Sequence, residues 1–119
     1  RKVIILMTDG YNNYGGSNNM NDSSYFTYGF ARNALLGQAT TNNNTLNSLL
    51  DAKTLQACTN AKAAGIVIYT IAFGSSADYS MLQNCATNTT YAYWPQNSSD
   101  LEPVFQQIAQ SINNLRISQ

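Results

Sequence analysis

The sequence has no histidine, and only 10% of its residues are charged, six of each sign, so the net charge is zero. Histidine is a frequent general acid–base group and the commonest metal ligand, so its absence excludes sites that depend on it. Clustered lysine and arginine are also missing, and phosphate binding needs them. We therefore expect no nucleic-acid partner.

Long apolar runs are missing as well. No stretch approaches the roughly 20 apolar residues of a membrane span, and no signal peptide is visible. We expect any targeting segment or membrane tether to lie outside this chain. Polarity comes from Asn, Thr, Ser, Gln and eight Tyr, a composition that is commoner outside the cytoplasm. The 119 residues are enough for one domain.

Three short apolar stretches predict β-strands. The first, VIILM at 3–7, is aliphatic and β-branched, which indicates a strand buried on both faces. Predicted strands cover residues 2–8, 66–73 and 91–94, and predicted helices cover residues 45–64, 78–86 and 99–115. Strands that alternate with helices indicate an α/β fold with a parallel sheet.

Residues 11–44 form a long connection rich in Asn, Gly, Ser and aromatic side chains. One short helix, from Ser23 or Ser24 to Leu36, is predicted within it. Tyrosine among Ser, Gly and Asn is typical of adaptable contact surfaces. The candidate contact residues are Tyr11, Tyr14, Tyr25, Phe26 and Tyr28. The alternative is a disordered polar loop whose aromatic side chains only anchor it to the core.

Asp9 follows the first predicted strand directly. Ligands of open parallel sheets bind at the carboxyl ends of the strands, and hard cations such as Mg²⁺ prefer oxygen ligands. Asp9 is therefore a candidate metal ligand. Asp-Gly is also a common turn dipeptide, so the alternative is that Asp9 and Gly10 only form a turn.

Several motifs occur in an order and spacing that resemble a known family. VIILMTDG at 3–10, a helix leading to a second strand at 66–73, a third strand and a C-terminal helix resemble the second half of a von Willebrand factor type A domain. LQAC at 55–58, LQNCA at 82–86 and INNLRI at 112–117 are more narrowly similar to TadG-like proteins of the Flp/Tad pilus assembly system. The resemblance covers nearly the whole chain apart from the loop at 11–44.

This resemblance implies a Rossmann-like, three-layer α/β domain with a metal-ion-dependent adhesion site. Residues 1–119 would be the C-terminal part of that single domain, with 11–44 as an insertion. The family's site combines an Asp-x-Ser-x-Ser motif, a Thr from a middle loop and an Asp after the fourth strand, which Asp9 matches. The first two are not found in this sequence, so we expect them upstream. The complete domain would hold Mg²⁺ or Mn²⁺, whereas we expect no ion bound to this chain alone.

The strand at 3–7 resembles a central strand, yet nothing in this sequence precedes it to cover its edge. We expect that edge to recruit another strand. The partner would be a second copy of the chain, by dimerisation or swapping, or a complementing N-terminal fragment.

Cys58 and Cys85 allow a single intramolecular pairing. Both fall on predicted helices that successive crossovers place on the same face of the sheet, so a disulfide is geometrically reasonable. The alternative is two buried free thiols. The composition and the resemblance favour the disulfide, because both indicate an extracytoplasmic protein.

The sequence leaves three functions to distinguish. The first is a non-enzymatic binding or assembly module of the bacterial envelope, serving pilus biogenesis or surface adhesion, in which a partner's carboxylate completes the coordination of an ion held by Asp9. The second is a structural scaffold with a degenerate ion site. The third, an α/β enzyme, is disfavoured because the sequence lacks histidine, a phosphate-binding glycine loop and a nucleophile elbow.

Overall fold

A computed structural model of the chain describes residues 2–117, with the side chains of residues 2–114. It divides into two compact units. Unit 1 contains residues 2–11 and 57–117, and unit 2 contains residues 12–56. Helix α1 (Asn43–Ala63) contributes its first part to unit 2 and its last part to unit 1. Among the described helices, none is long and apolar enough to cross a membrane.

Unit 1 is built on a parallel sheet of three strands in the order β1-β2-β3. The strands are β1 (Val3–Thr8), β2 (Val67–Ala72) and β3 (Ala92–Tyr93), and the helices that follow β2 and β3 are α2 (Tyr79–Cys85) and α3 (Leu101–Ile117). The predicted α/β fold is therefore confirmed. Every predicted strand and helix boundary outside the loop is met to within about two residues, the usual uncertainty of element ends.

Strand β2 is the centre of unit 1, and all six of its residues are buried. On one face, Tyr69 and Ile71 pack against Val104 and Ile108 of α3. On the other face, the Thr70 hydroxyl donates a hydrogen bond to the Leu82 carbonyl of α2, at 3.0 Å. Helices thus cover both faces of the sheet. The side chain of Leu115, in the INNLRI motif of α3, lies outside the described residues.

The prediction that β1 is buried on both faces is wrong. The exposed fractions of Ile4, Ile5 and Met7 are 41%, 43% and 43%. The physical reason is its place in the sheet: β1 pairs with β2 on one side, from Val3↔Val67 to Thr8↔Ala72, and with no described strand on the other. The apolar run is typical of a central strand, and the described residues make it an edge strand.

Unit 2 contains the first part of α1 and the segment before it. The predicted helix from Ser23 or Ser24 to Leu36 is wrong, and only a 3-10 turn at Ala31–Asn33 is helical there. Phe26 and Gly29 instead exchange two backbone hydrogen bonds, and Gly29 has φ 77°, which ends any helix at that point. The core of unit 2 contains Tyr14, Ala31, Leu36 and Leu46.

Candidate functional site

The carboxyl ends of the strands of unit 1 meet at one edge of the sheet, which we call the carboxyl edge. Beyond β1 and β2, the Phe73 amide donates to the Thr8 carbonyl at 2.9 Å. The Gly74 amide then donates to the Pro95 carbonyl, also at 2.9 Å, which brings the segment after β3 to the same edge. Asp9 lies at this edge, directly after β1, and is exposed. This edge is where ligands of open α/β sheets bind.

Asp9 lies in a tight turn that leaves its carboxylate uncommitted. The Gly10 amide donates to the Thr8 hydroxyl at 3.3 Å, and the Asp78 amide donates to the Gly10 carbonyl at 3.4 Å. Within the described residues, no hydrogen bond reaches the Asp9 carboxylate. The Asp78 carboxylate, in contrast, accepts from the Met81 amide at 3.0 Å and so caps α2. Asp9 is the carboxylate of this turn that is available to a ligand.

The described residues do not by themselves fit a divalent metal ion. Mg²⁺ takes oxygen ligands in a near-octahedral arrangement, several of which are waters in most protein sites. In the described turn Asp9 supplies one free carboxylate, the Thr8 hydroxyl is hydrogen-bonded to Gly10, and the Asp78 carboxylate is engaged by α2. In the part of the chain that the structure describes, no group of three or more His, Cys, Asp or Glu could hold a metal. Metal binding in a more complete domain stays a prediction.

Acidic side chains follow all three strands. Asp9 follows β1, Asp78 precedes α2, and Asp100 and Glu102 lie at the start of α3. Acidic groups at helix N-termini interact favourably with the helix dipole. This interaction accounts for the positions of Asp78, Asp100 and Glu102. Asp9 is the acidic residue of this set that lies at no helix N-terminus.

An aromatic pair at the carboxyl edge was missed from the sequence. The rings of Tyr79 and Trp94 stack with centroids 5.1 Å apart and an interplanar angle of 13°. The Trp94 indole N–H donates to the Gly74 carbonyl at 2.8 Å, which fixes the ring, yet Trp94 remains 49% exposed. The position of a tryptophan directly after a strand, at the end where ligands bind, was the signal that could have found it.

The disulfide between Cys58 and Cys85 is present. It joins α1 to α2, with the Cα atoms 5.2 Å apart, and both residues are buried. The two helices are therefore neighbours on one face of the sheet, as their crossovers predicted. Disulfides form and persist in oxidising compartments, so this bond indicates an environment outside the cytoplasm.

The candidate contact residues of the long loop fall into two groups. Tyr11 in unit 1 and Tyr25 in unit 2 are exposed, at 68% and 74%. Tyr14 is buried in the core of unit 2, and Phe26 and Tyr28 pack against that core, with the Tyr14 and Phe26 rings 5.0 Å apart. Their role in binding stays a prediction, and the structure brings together only the last three.

Burial of Tyr14 raises the pKa of its hydroxyl, which is held by a hydrogen bond to the Gly29 carbonyl at 2.9 Å. In unit 1, burial likewise raises the pKa of Tyr69, and its hydrogen bond with the Ser111 hydroxyl partly opposes that shift. Both tyrosines are neutral, structural groups at physiological pH.

No family model and no curated protein matches this chain. Among solved structures, the chain is similar to proximal thread matrix protein 1 from the mussel byssus, with a TM-score of 0.53 and 20% sequence identity. The match covers 90% of this chain and 18% of that protein. At this identity the likeness concerns the fold alone.

Proposed function

We propose that the chain is a non-enzymatic binding and assembly module that acts outside the cytoplasm. The observation that carries this proposal is the open edge of β1, where Ile4, Ile5 and Met7 are each more than 40% exposed. An edge strand with unpaired backbone groups and apolar side chains is a template for pairing with another strand. Its exposed apolar surface suits a protein contact better than it suits solvent.

An apolar groove supports the same proposal on one face of unit 1. It has a volume of about 140 Å³ and lies between the β1–β2 sheet and the disulfide-linked helices. Ile4 and Leu6 of β1 and Ala57 and Ala61 of α1 line it. Ile5 and Met7 alternate with Ile4 and Leu6 and so present apolar surface on the opposite face. The element that covers β1 would therefore be apolar on both faces.

The finer proposal is that the chain is part of a type A domain of the TadG-like kind in a bacterial envelope. It rests on the sequence motifs and is compatible with the parallel sheet and the disulfide. Asp9 would be one ligand of Mg²⁺ or Mn²⁺, and its remaining oxygen ligands would come from the polypeptide that covers β1. The alternative is a structural scaffold in which Asp9 binds no ion.

The open edge is tested by self-association. We expect the chain to form dimers through β1, and Ile5→Lys to shift the equilibrium to monomer by at least about tenfold, because the edge then carries a charge. Phe105→Lys is the matched control, since Phe105 is 45% exposed on α3. Analytical ultracentrifugation measures the equilibrium. A monomeric wild-type chain whose outward β1 amides exchange freely would contradict the proposal.

A titration with Mn²⁺ then separates ion capture from the scaffold alternative. The chain alone should show no micromolar affinity, because one carboxylate cannot dehydrate and orient the ion. If Asp9 serves ion capture, a complex with a β1-pairing segment that supplies the missing oxygen ligands should bind Mn²⁺, and Asp9→Ala should abolish that binding. Equal Mn²⁺ affinity in the Asp9→Ala complex would favour the scaffold.

A further inference from the structure

Unit 2 contains a cleft of about 240 Å³ that the proposed function does not use. Three parts of the chain surround it: the segment at 12–14, the turn at 26–28, and Leu50 of α1. All three belong to unit 2. This volume is below the roughly 300 to 1,000 Å³ of pockets for drug-sized ligands, so the cleft suits one small ring.

Hydrogen bonds fix each wall of the cleft. Phe26 and Gly29 exchange backbone bonds of 3.0 and 2.8 Å, which close the turn, and the Tyr14 hydroxyl donates to the same Gly29 carbonyl. The Asn12 side-chain amide donates to the Asp51 carboxylate at 2.8 Å, which ties the first segment to α1. The cleft is therefore preformed, and a ligand would not have to order its walls.

The cleft combines an apolar floor with a polar margin. Phe26 and Leu50 supply ring and aliphatic surface, with Tyr14 packed behind Phe26. Thr27 and Tyr28, the two central residues of the turn, supply hydroxyl groups. Within the described residues neither hydroxyl makes a hydrogen bond, so each can donate to and accept from a ligand.

Asn13 adds an amide to the same margin. Its carbonyl accepts from the Gly15 amide at 3.1 Å, while its amide nitrogen has no hydrogen-bond partner in the described part of the chain. None of the residues that line the cleft carries a formal charge. The nearby Asp51 carboxylate accepts from Asn12. The ligand should therefore be neutral, with several groups that both donate and accept.

We propose that this cleft binds one unit of a neutral saccharide. A pyranose ring has an apolar C–H face for the Phe26 and Leu50 side, and its hydroxyls match the unpaired groups of Asn13, Thr27 and Tyr28. A peptide fits less well, because the backbone groups of Phe26 and Gly29 are already paired with each other and leave no strand edge here. The proposal is independent of Asp9, of the β1 edge and of any metal ion.

The test is an NMR titration of the full chain with methyl glycosides of glucose, galactose, mannose and N-acetylglucosamine. At least one should shift the amide resonances of residues 12–14, 26–28 and 50, with an affinity in roughly the millimolar range. Tyr28→Phe and Thr27→Val should each weaken binding about fivefold, because each removes one hydroxyl and keeps the side-chain shape. Tyr25→Phe is the matched control, since Tyr25 is exposed and does not line the cleft.

Three results would overturn the proposal. The first is that none of the four glycosides shifts the cleft resonances at about 50 mM, well above the expected affinity range. The second is that Tyr28→Phe and Thr27→Val bind as tightly as the wild type. The third is that N-acetylprolinamide, the peptide probe, occupies the cleft and the glycosides do not. Because the titration is run with EDTA, loss of ion capture would not affect the outcome.

Discussion

In unit 1 the core strands are joined by a parallel ladder of backbone hydrogen bonds, whereas in unit 2 side chains join segments that are distant in sequence. Asn47 accepts from the Tyr14 amide at 2.9 Å, and the buried Ser23 hydroxyl accepts from the Ala31 amide at 2.9 Å. In unit 1, β2 pairs with β1 over all six of its residues and with β3 at Thr70 and Ile71. The many Asn and Ser residues of unit 2 thus replace a sheet ladder by individual contacts.

This difference determines how each unit responds to substitution. A ladder distributes backbone pairing over many residues, so no single side chain of β2 is needed to hold it. A side-chain acceptor such as Asn47 serves one amide, and that amide is left unpaired when the acceptor is removed. Unit 1 should therefore be sensitive mainly to its core and its disulfide, and unit 2 to particular polar residues.

The largest effect should come from the disulfide. Replacing Cys58 and Cys85 together by Ala should lower the free energy of unfolding of unit 1 by about 3 to 4 kcal/mol, since the bond closes a loop across 27 positions. Amide hydrogen exchange measures the stability of each unit separately. Reduction of the disulfide in the wild-type chain should cause the same loss of stability in unit 1. Equal loss of protection in residues 12–47 would contradict the assignment of the bond to unit 1.

An intermediate effect should come from Asn47. Asn47→Ala leaves the Tyr14 amide without its acceptor, so it should destabilise unit 2 by about 1 to 3 kcal/mol. Asn44→Ala is the matched control, because Asn44 is exposed on the same helix and only its backbone carbonyl is engaged, by Ser48. Hydrogen exchange and denaturant unfolding measure both variants. If the two variants lose equal stability, the hydrogen bond from the Tyr14 amide to the Asn47 side chain does not stabilise unit 2.

The same difference explains which parts were predictable from sequence. In unit 1, aliphatic runs and three- to four-residue apolar spacing reflect burial directly, so the strands and helices were found to within about two residues. The position of Asp9 after β1 and the neighbouring placement of the two helices that carry Cys58 and Cys85 followed from those elements. Strand β1 was misjudged because its apolar pattern matches a buried strand, and a pattern cannot show which neighbour is present.

In unit 2 the helix predicted from Ser23 or Ser24 to Leu36 does not form, because the Phe26–Gly29 turn and the Ser23 side chain engage backbone groups that a helix would pair. The cleft could not be predicted, because Asn12, Thr27 and Leu50 are distant in sequence and come together only through tertiary contacts. Local patterns carry no information about such contacts.

The smallest effect concerns pH and compares one buried tyrosine from each unit. Burial raises the pKa values of Tyr69 and Tyr14 above the ordinary 10.0, so folding favours their neutral forms. Their contribution to stability is complete below pH 10 and should be lost as the pH rises through the folded values. In a pH titration followed by tyrosinate absorbance, the wild-type chain should contain tyrosines that ionise above the ordinary pKa of 10.0. The number of these tyrosines should be one lower in Tyr69→Phe and one lower in Tyr14→Phe. A variant that keeps the wild-type curve would show that burial in its unit does not shield that tyrosine hydroxyl.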